Sequence, residues 1–405
     1  MSPAARRALS AVLGLVAAAL AVWAATRLLR TDVPSGLERP EVDVDETFGA
    51  DEVEEASSFE AFLIVLTIAS QLVALVALGV YAFRGARFLR DSAAGPIGSG
   101  FLLGMLAFAV LWIVQLPFVV AQTWWMRRKD VVEVEYVEAV LTSLFALWPT
   151  FLQVCFVLLV AMGFAKLVRQ AWWVPAGAVL VGLVALLTFV SPYLVAEGLT
   201  DADARLQAQT DRLVEQQGID DEIELGIEEV SDQTSLPNAY AMGLGPSRRI
   251  VLYDTLADRF PRDQVRATLA HEVGHHAGKH LAKGIALSAL VIIPTALLVA
   301  LLTAGRGGMR RPEAVPLAIF VVVALGLVTG PLQNAASRQF EAEADWKALE
   351  ATRDPEAVEG VWRSFTARAL ADPDPPGWFQ TLYGSHPSGV QRVEMARAWA
   401  ARNGG

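Results

Sequence analysis

Seven long apolar blocks constrain this chain more than any other feature of its sequence. A helix needs roughly 20 apolar residues to cross the hydrocarbon core of a bilayer. The blocks at about 8–26, 62–83, 101–120, 140–165, 174–195, 285–302 and 314–330 meet or nearly meet that length. No water satisfies backbone N–H and C=O groups inside lipid, so each block must close its hydrogen bonds internally as a helix. Hydrophobic residues make up 54% of the chain, and they fall in blocks instead of the stripes of an amphipathic soluble bundle. The pattern predicts an all-α polytopic membrane protein with about seven transmembrane helices. Pro294 and Pro316 lie in the two shortest blocks, where neighbouring helices can satisfy a freed carbonyl. Arg6 and Arg7 precede the first block and Arg27 and Arg30 follow it, the flanks of a retained anchor more than of a cleaved signal peptide.

Polar sequence gathers in residues 197–284 and 333–405. An even number of blocks separates these regions, so both must lie on one face of the membrane. The net charge of −10 is concentrated in EVDVDETFGADEVEEASSFE, part of an acidic loop 31–60 that reads as solvated and mobile. With this acidic balance, and arginines clustered at block ends, no nucleic-acid partner is expected. Cys155 is the single cysteine, which excludes an intramolecular disulfide and a cysteine metal site.

Within the first polar region, DADARLQAQTDRLVEQQGI has helical spacing, and residues 237–256 read as a β-hairpin around Gly-Pro-Ser. Pro261 and Asp263 offer a helix start, from which QVRATLAHEVGHHAGKH continues toward the sixth block. The second polar region opens with the helical QNAASRQFEAEADWKALEAT, followed by the loop ADPDPPGW and a terminal helix after SHPSGVQRV.

Five histidines occur in the chain, and three of them stand in HEVGHH, residues 271–276. Residues four apart on a helix differ by about 40° in direction, so His271 and His275 share a face one turn apart and can reach one metal ion. Glu272 points about 100° away from His271, where it can hold and deprotonate a water beside the metal. Chance assembly of this H-E-x-x-H arrangement in so histidine-poor a chain is on the order of one in a thousand. Gly274 suits a place where a metal or a substrate backbone comes close. His276 and His280, also four apart, form a weaker rival pair on another face of the same helix; His280 is expected to pack behind the site.

A catalytic zinc usually takes three protein ligands and keeps one position open. SRQFEAEAD, residues 337–345, lies two blocks downstream and so on the same face of the membrane. Glu341 and Asp345 share one side of its helix, which casts Glu341 as the third ligand and Asp345 as hydrogen-bond partner of a ligating histidine. Glu343 points about 200° away and has Lys347 one turn on, so its loss is expected to matter little.

With these residues in place, the chain resembles the membrane-embedded zinc metalloproteases of the CAAX prenyl protease 1 type, with HtpX-type proteases as relatives. The resemblance rests on Asn238 to Tyr240, RIVLYDTL, HEVGH with His280, SRQFEAEAD, and HP followed by Arg392. It implies helices enclosing a chamber, a gluzincin-like protease region with a small β-hairpin or sheet, and one Zn2+ per chain. Residues 1–196 would form a five-helix membrane domain and 197–405 a zinc metalloprotease domain carrying the last two spans. Asn238, Ala239 and Tyr240 would pair with extended substrate. His386 and Arg392 would stabilise the developing oxyanion.

The expected activity is endopeptidase hydrolysis by zinc-activated water with Glu272 as general base. The expected partners are a peptide or protein substrate, membrane-associated in the simplest case, and the lipid bilayer. A metal carrier and a catalytically silent scaffold are the rivals. Composition rich in Ala and Arg suggests a bacterial plasma membrane and protein quality control. The resemblance places the catalytic face in the cytoplasm, whereas Arg6, Arg7, Arg84, Arg87, Arg90, Lys166, Arg169, Arg306, Arg310 and Arg311 gather on the other face and lean the opposite way.

Overall fold

The computed structural model describes residues 3–85 and 94–404, without the side chains of residues 3–13 and 17. Of the expected topological charges, Arg87 and Arg90 lie outside the described residues, and Arg6 and Arg7 are described without their side chains. Six helices among the described residues are long and apolar enough to cross a membrane. They are α3 (Ala50–Arg84), α4 (Gly95–Arg128), α5 (Tyr136–Val168), α6 (Trp173–Ala196), α10 (His280–Thr303) and α11 (Val315–Thr352). Ahead of them come α1 (Pro3–Leu28), whose apolar stretch Gly14–Leu28 is shorter, and the one-turn α2 (Val44–Phe48). Six of the seven expected blocks thus fall on span-length helices, and the first falls on α1.

The spans pack where small residues let side chains close in. Leu103, Leu158, Met162 and Val315 form one buried cluster from α4, α5 and α11, and the Tyr81 hydroxyl donates to the Leu103 carbonyl at 2.6 Å. Leu72, Val76, Phe145 and Leu186 are large apolar side chains left exposed on the spans, as suits helices in a lipid environment.

Between α6 and α10 the chain folds into β1 (Thr200–Asp201), α7 (Ala204–Gln216), β2 (Glu224–Glu228), β3 (Ala239–Met242), β4 (Arg249–Tyr253), α8 (Asp254–Arg259) and α9 (Arg262–Ala277). The expected hairpin is β3–β4, antiparallel. It belongs to a four-stranded sheet of order β1-β2-β4-β3, in which β2 runs parallel to β4. Leu213, Leu225, Ile250, Leu252, Leu269 and Val273 form the core between α7, the sheet and α9. After α11 come α12 (Pro355–Ala369), α13 (Gly377–Leu382) and α14 (Gly389–Asn403). Trp346, Leu349, Val358, Val361, Met395 and Trp399 make a second core joining α11, α12 and α14.

Three expectations change. The acidic segment is not a free loop: Val42 and Phe48 are buried against Val393 of α14, and α3 begins at Ala50, far inside the acidic run. The active-site helix does not continue into the sixth span, because Lys279 adopts a left-handed φ of 55° and ends α9 before α10 begins at His280. The seventh span and the SRQFEAEAD helix, by contrast, are one 38-residue helix.

Candidate active site

α9 supplies His271, Glu272 and His275, and α11 supplies Glu341 and Asp345. The two helices touch at Gly274, where an added Cβ would meet the Ala344 Cα and carbonyl oxygen at 3.0 Å. The expectation that a metal or substrate needs this glycine is therefore corrected: the neighbour that comes close is the α11 backbone. This contact sets the distance between the two halves of the site.

His271 Nε2 and His275 Nε2 lie 3.1 Å apart, and Glu341 reaches them at 3.3 Å and 3.4 Å. Ligands about 2.0–2.1 Å from a tetrahedral zinc are separated by roughly 3.3–3.4 Å; Glu341 Oε2 lies at that spacing from His271 and Glu341 Oε1 at that spacing from His275, so the carboxylate faces the imidazole pair with both oxygens. His271, His275 and Glu341 form the group among the described residues able to hold a metal ion. The local field agrees. Burial pulls His271 down, but the Asp345 and Glu341 carboxylates override it and hold the imidazole up at about 10. A second cation is not tolerated beside it: burial, and then the His271 charge, push His275 well below its ordinary range. A pair of imidazoles and a carboxylate that together favour one added positive charge fit a single divalent ion.

Asp345 Oδ1 accepts the His271 Nδ1–H at 2.8 Å, which leaves Nε2 free to ligate. Glu272 is buried but lies outside the trio. Burial raises its carboxyl from 4.5 to about 7, while the neighbouring His271 and an N–H donated by Ala241 pull back.

Arg392 has contacts beyond those its expected role called for. Its guanidinium is 2% exposed and donates to Asp345 Oδ1 at 2.7 Å and to Glu341 Oε2 at 3.0 Å, with Trp362 stacked 4.1 Å from it. It grips the two carboxylates while also lining the cavity that they face. His386 also faces the cavity: its ring is 63% exposed, with Nε2 3.5 Å from Glu341 Oε1. The backbone of its loop is held by Gln380 Nε2, which donates to the His386 carbonyl at 2.6 Å. Arg338 in turn donates to the Gln380 carbonyl at 3.0 Å and to the Gly384 carbonyl.

The rival pair is dismantled by the break at Lys279. His276 Nε2–H donates to the Arg249 carbonyl of β4 at 3.3 Å, and burial lowers its pKa to about 4, so it is a neutral tie between helix and sheet. His280 stands on the next helix and stacks on Phe340 with centroids 4.8 Å apart. Glu343, expected to matter little, is 3% exposed and accepts from His280 at 3.0 Å and from Lys283 at 3.1 Å. On a straight helix it does point away from the ligand trio; the start of α10 packs against that side.

β3 lies at the sheet edge. Tyr253 N–H donates to the Asn238 carbonyl at 2.9 Å, and antiparallel alternation then turns the backbone groups of Tyr240 toward β4 and those of Ala239 and Ala241 outward. Of the three expected substrate-strand residues, Ala239 thus has an outward-facing backbone. Asn238 caps the Ala239 N–H through its side chain at 3.0 Å, and the Tyr240 hydroxyl donates to Glu228 at 2.9 Å. Ala241 was not singled out from sequence; only the pairing register reveals it. Edge strand, ligands and His386 line one cavity of about 550 Å³, closed on the far side by Val358, Trp362 and Phe365 of α12. These α12 residues carried no motif by which sequence could mark them.

Residues 200–400 match the model of peptidase family M48. An uncharacterized metalloprotease, YhfN, of Bacillus subtilis (strain 168) is 26% identical over 244 residues, 56% of this chain and 57% of that protein. A protease HtpX homolog of Ligilactobacillus salivarius (strain UCC118) is 26% identical over 183 residues, 39% of this chain and 62% of that one. The chain thus spans less than two thirds of each of these curated relatives. The crystal structure of S. mikatae Ste24p has the same fold, with a TM-score of 0.67 at 19% identity over 96% of this chain and 97% of that one.

Proposed function

Since the chain belongs to peptidase family M48 through residues 200–400, we propose that it is an integral-membrane zinc metalloendopeptidase. The observation that carries this is the convergence of two imidazole nitrogens, 3.1 Å apart, on the Glu341 carboxylate, whose Oε2 lies 3.3 Å from His271 and whose Oε1 lies 3.4 Å from His275, with a buried non-ligand carboxylate beside them. His271, His275 and Glu341 would hold one zinc ion per chain, and the ion would supply Lewis acidity toward a peptide carbonyl and an attacking water.

Glu272 takes the proton of the attacking water and returns it to the leaving amine, a task for which its upward-shifted carboxyl is suited. The outward carbonyls of Ala239 and Ala241 pair with an extended peptide, and Asn238 and Tyr240 hold that strand in register. His386, exposed at the rim and tethered through Gln380, donates to the oxyanion. Asp345 fixes the His271 tautomer. Arg392 neutralises the two carboxylates.

Extended pairing implies an unfolded peptide or protein segment as substrate, and the continuity of the Glu341-bearing helix α11 with a membrane span favours a membrane-associated one. Quality control of such proteins in a bacterial plasma membrane is the physiological role proposed. The catalytic face is assigned to the cytoplasm on the strength of the resemblance, against the cations on the opposite short loops. Labelling of single cysteines introduced between residues 197 and 250, in intact cells, tests this; modification by an impermeant reagent would reverse the assignment.

The function is tested by zinc stoichiometry and peptide cleavage in the wild type and in Glu272→Gln. One zinc in both proteins and hydrolysis only in the wild type is the expected result. Zinc with no cleavage of any extended peptide by the wild type would point to metal transfer, and no zinc at all to a scaffold. Substrates retained by Glu272→Gln in membranes would then define the class that is cleaved.

A further inference from the structure

His271 and His275 are supported differently. The Nδ1 of His271 meets Asp345 directly at 2.8 Å, and Asp345 is in turn paired with Arg392 at 2.7 Å. The Nδ1 of His275 meets no carboxylate; it lies 3.0 Å from Nδ1 of His280. His280 Nε2 is 3.0 Å from Glu343 Oε2, which also accepts from Lys283 Nζ at 3.1 Å. One histidine, a carboxylate and an ammonium therefore run in series behind the second ligand.

The hydrogen-bond directions in this series are fixed at both ends. His275 turns Nε2 toward His271 and Glu341, so a neutral His275 that ligates through Nε2 carries its proton on Nδ1 and donates it to His280. His280 must then accept at Nδ1 and carry its own proton on Nε2, from which it donates to Glu343. Only one pair of tautomers satisfies every contact. The ring of His280 is also immobilised: it is buried, stacks on Phe340 at an interplanar angle of 11°, and lies where a Cβ on Gly278 would intrude. The turn at Gly278 and left-handed Lys279 swings His280 off the α9 axis and behind His275.

We propose that His280, anchored by Glu343 and Lys283, is a positioning residue that fixes the tautomer and ring plane of His275. Each imidazole then has its own carboxylate–cation support, direct for His271 through Asp345 and Arg392, and relayed by a third imidazole for His275. The proposal rests on the zinc site assigned above. It also reverses the expectation that Glu343 is dispensable.

Chelator competition on the full-length protein in detergent tests it. His280→Phe keeps the stacking ring but removes both polar contacts, and it should weaken zinc binding by about 10- to 100-fold, the range for losing a ligand's orienting partner. The melting temperature of the zinc-stripped protein should stay close to wild type, while the increment that zinc adds should shrink. His280→Gln presents an amide that can accept from His275 and donate to Glu343, and it should recover most of the affinity. In cobalt-substituted protein the visible absorption should be altered in the Phe variant and return toward wild type in the Gln variant, which a purely structural role would not produce. Lys283→Met, which leaves the histidines untouched, should weaken zinc several-fold and serves if the ring substitutions do not fold. Wild-type affinity in His280→Phe, equal loss in the Phe and Gln variants, or an unchanged Lys283→Met would overturn the proposal. A wild type that binds no zinc would instead overturn the assignment of the metal site.

Discussion

Glu272 must be a carboxylate to accept a proton, and two effects set where it titrates. Burial raises it from 4.5 to about 7, and a bound divalent cation lowers it again. The acid limb of kcat/KM should therefore fall between 4.5 and about 7, with activity lost as the pH drops through it; a rate that is flat down to pH 4.5 would exclude Glu272 as the base. His386 and Arg392, which sequence treated alike, now separate. Replacing exposed His386 with Ala should lower kcat by about 10²- to 10³-fold with zinc retained. Replacing Arg392 with Ala leaves two buried carboxylates without their cation, and breaking such a buried pair costs about 3–5 kcal/mol. Zinc content and melting temperature should both fall, and Arg392→Lys should not restore them because an ammonium cannot span Glu341 and Asp345 as the guanidinium fork does. Normal zinc and melting temperature with only kcat reduced would return Arg392 to the oxyanion. What sequence resolved at this scale was set by helical spacing: His271 with His275, and Glu341 with Asp345. It could not show which way the Arg392 fork points, or that Ala241 faces outward, because these depend on contacts made by residues distant in sequence.

Helices α9 and α11 meet backbone to backbone at Gly274, so this position controls the spacing between the ligands of one helix and the ligand of the other. Gly274→Ala should force the helices apart, costing about 1–3 kcal/mol as overpacking does, and should weaken zinc binding more than a change of similar size at the exposed end of α9. Unchanged zinc affinity would mean that the site is held by side chains alone. Arg338, one turn before Glu341, holds the loop that carries His386. Arg338→Ala should reduce kcat while leaving zinc in place, and full activity would show that the Gln380 tether suffices. The existence of elements was legible where apolar runs or helical spacing marked it, as in α4 and α7, but bounds were not: α4 runs Gly95–Arg128, beyond the block 101–120, and α14 starts behind the Ser388 cap, inside SHPSGVQRV. β2 was not legible, because Glu224 and Glu228 bracket a five-residue strand containing Gly226 and hide its alternation. Nor was the turn at Lys279 visible, since no proline marks it and Gly278 reads equally well as a helical glycine. The acidic stretch misled through composition: Val42 and Phe48 are few beside its carboxylates, yet they suffice to seat it on α14.

At the scale of the whole molecule, the spans and the protease region are not separable pieces joined by a linker. The carbonyl of Arg30, just past α1, accepts from Lys283 at 3.4 Å, Asp32 pairs with Lys347 at 2.6 Å, and Glu60 of α3 accepts the Asp372 N–H at 3.1 Å. The continuity of α11 has the largest effect. Its apolar part ends near Gly330, and Glu341 rides on the same rod about ten residues beyond, roughly 15 Å along a helix axis. The histidine ligands sit on α9, which does not enter the bilayer. A tilt of about 5° in the membrane would swing the tip of a lever that long by a little over 1 Å, whereas metal–ligand distances tolerate only about 0.2 Å. Acyl chains too short or too long for a span commonly produce tilts, so the lipid itself can pull on the metal site. Zinc should dissociate faster from protein reconstituted in bilayers much thinner or thicker than the best-matched one. A rate independent of chain length would mean that Pro331, inside the helix at the membrane exit, flexes and absorbs the strain. In mechanical terms, the enzyme would be a strain gauge whose reading is the grip of Glu341 on its ion.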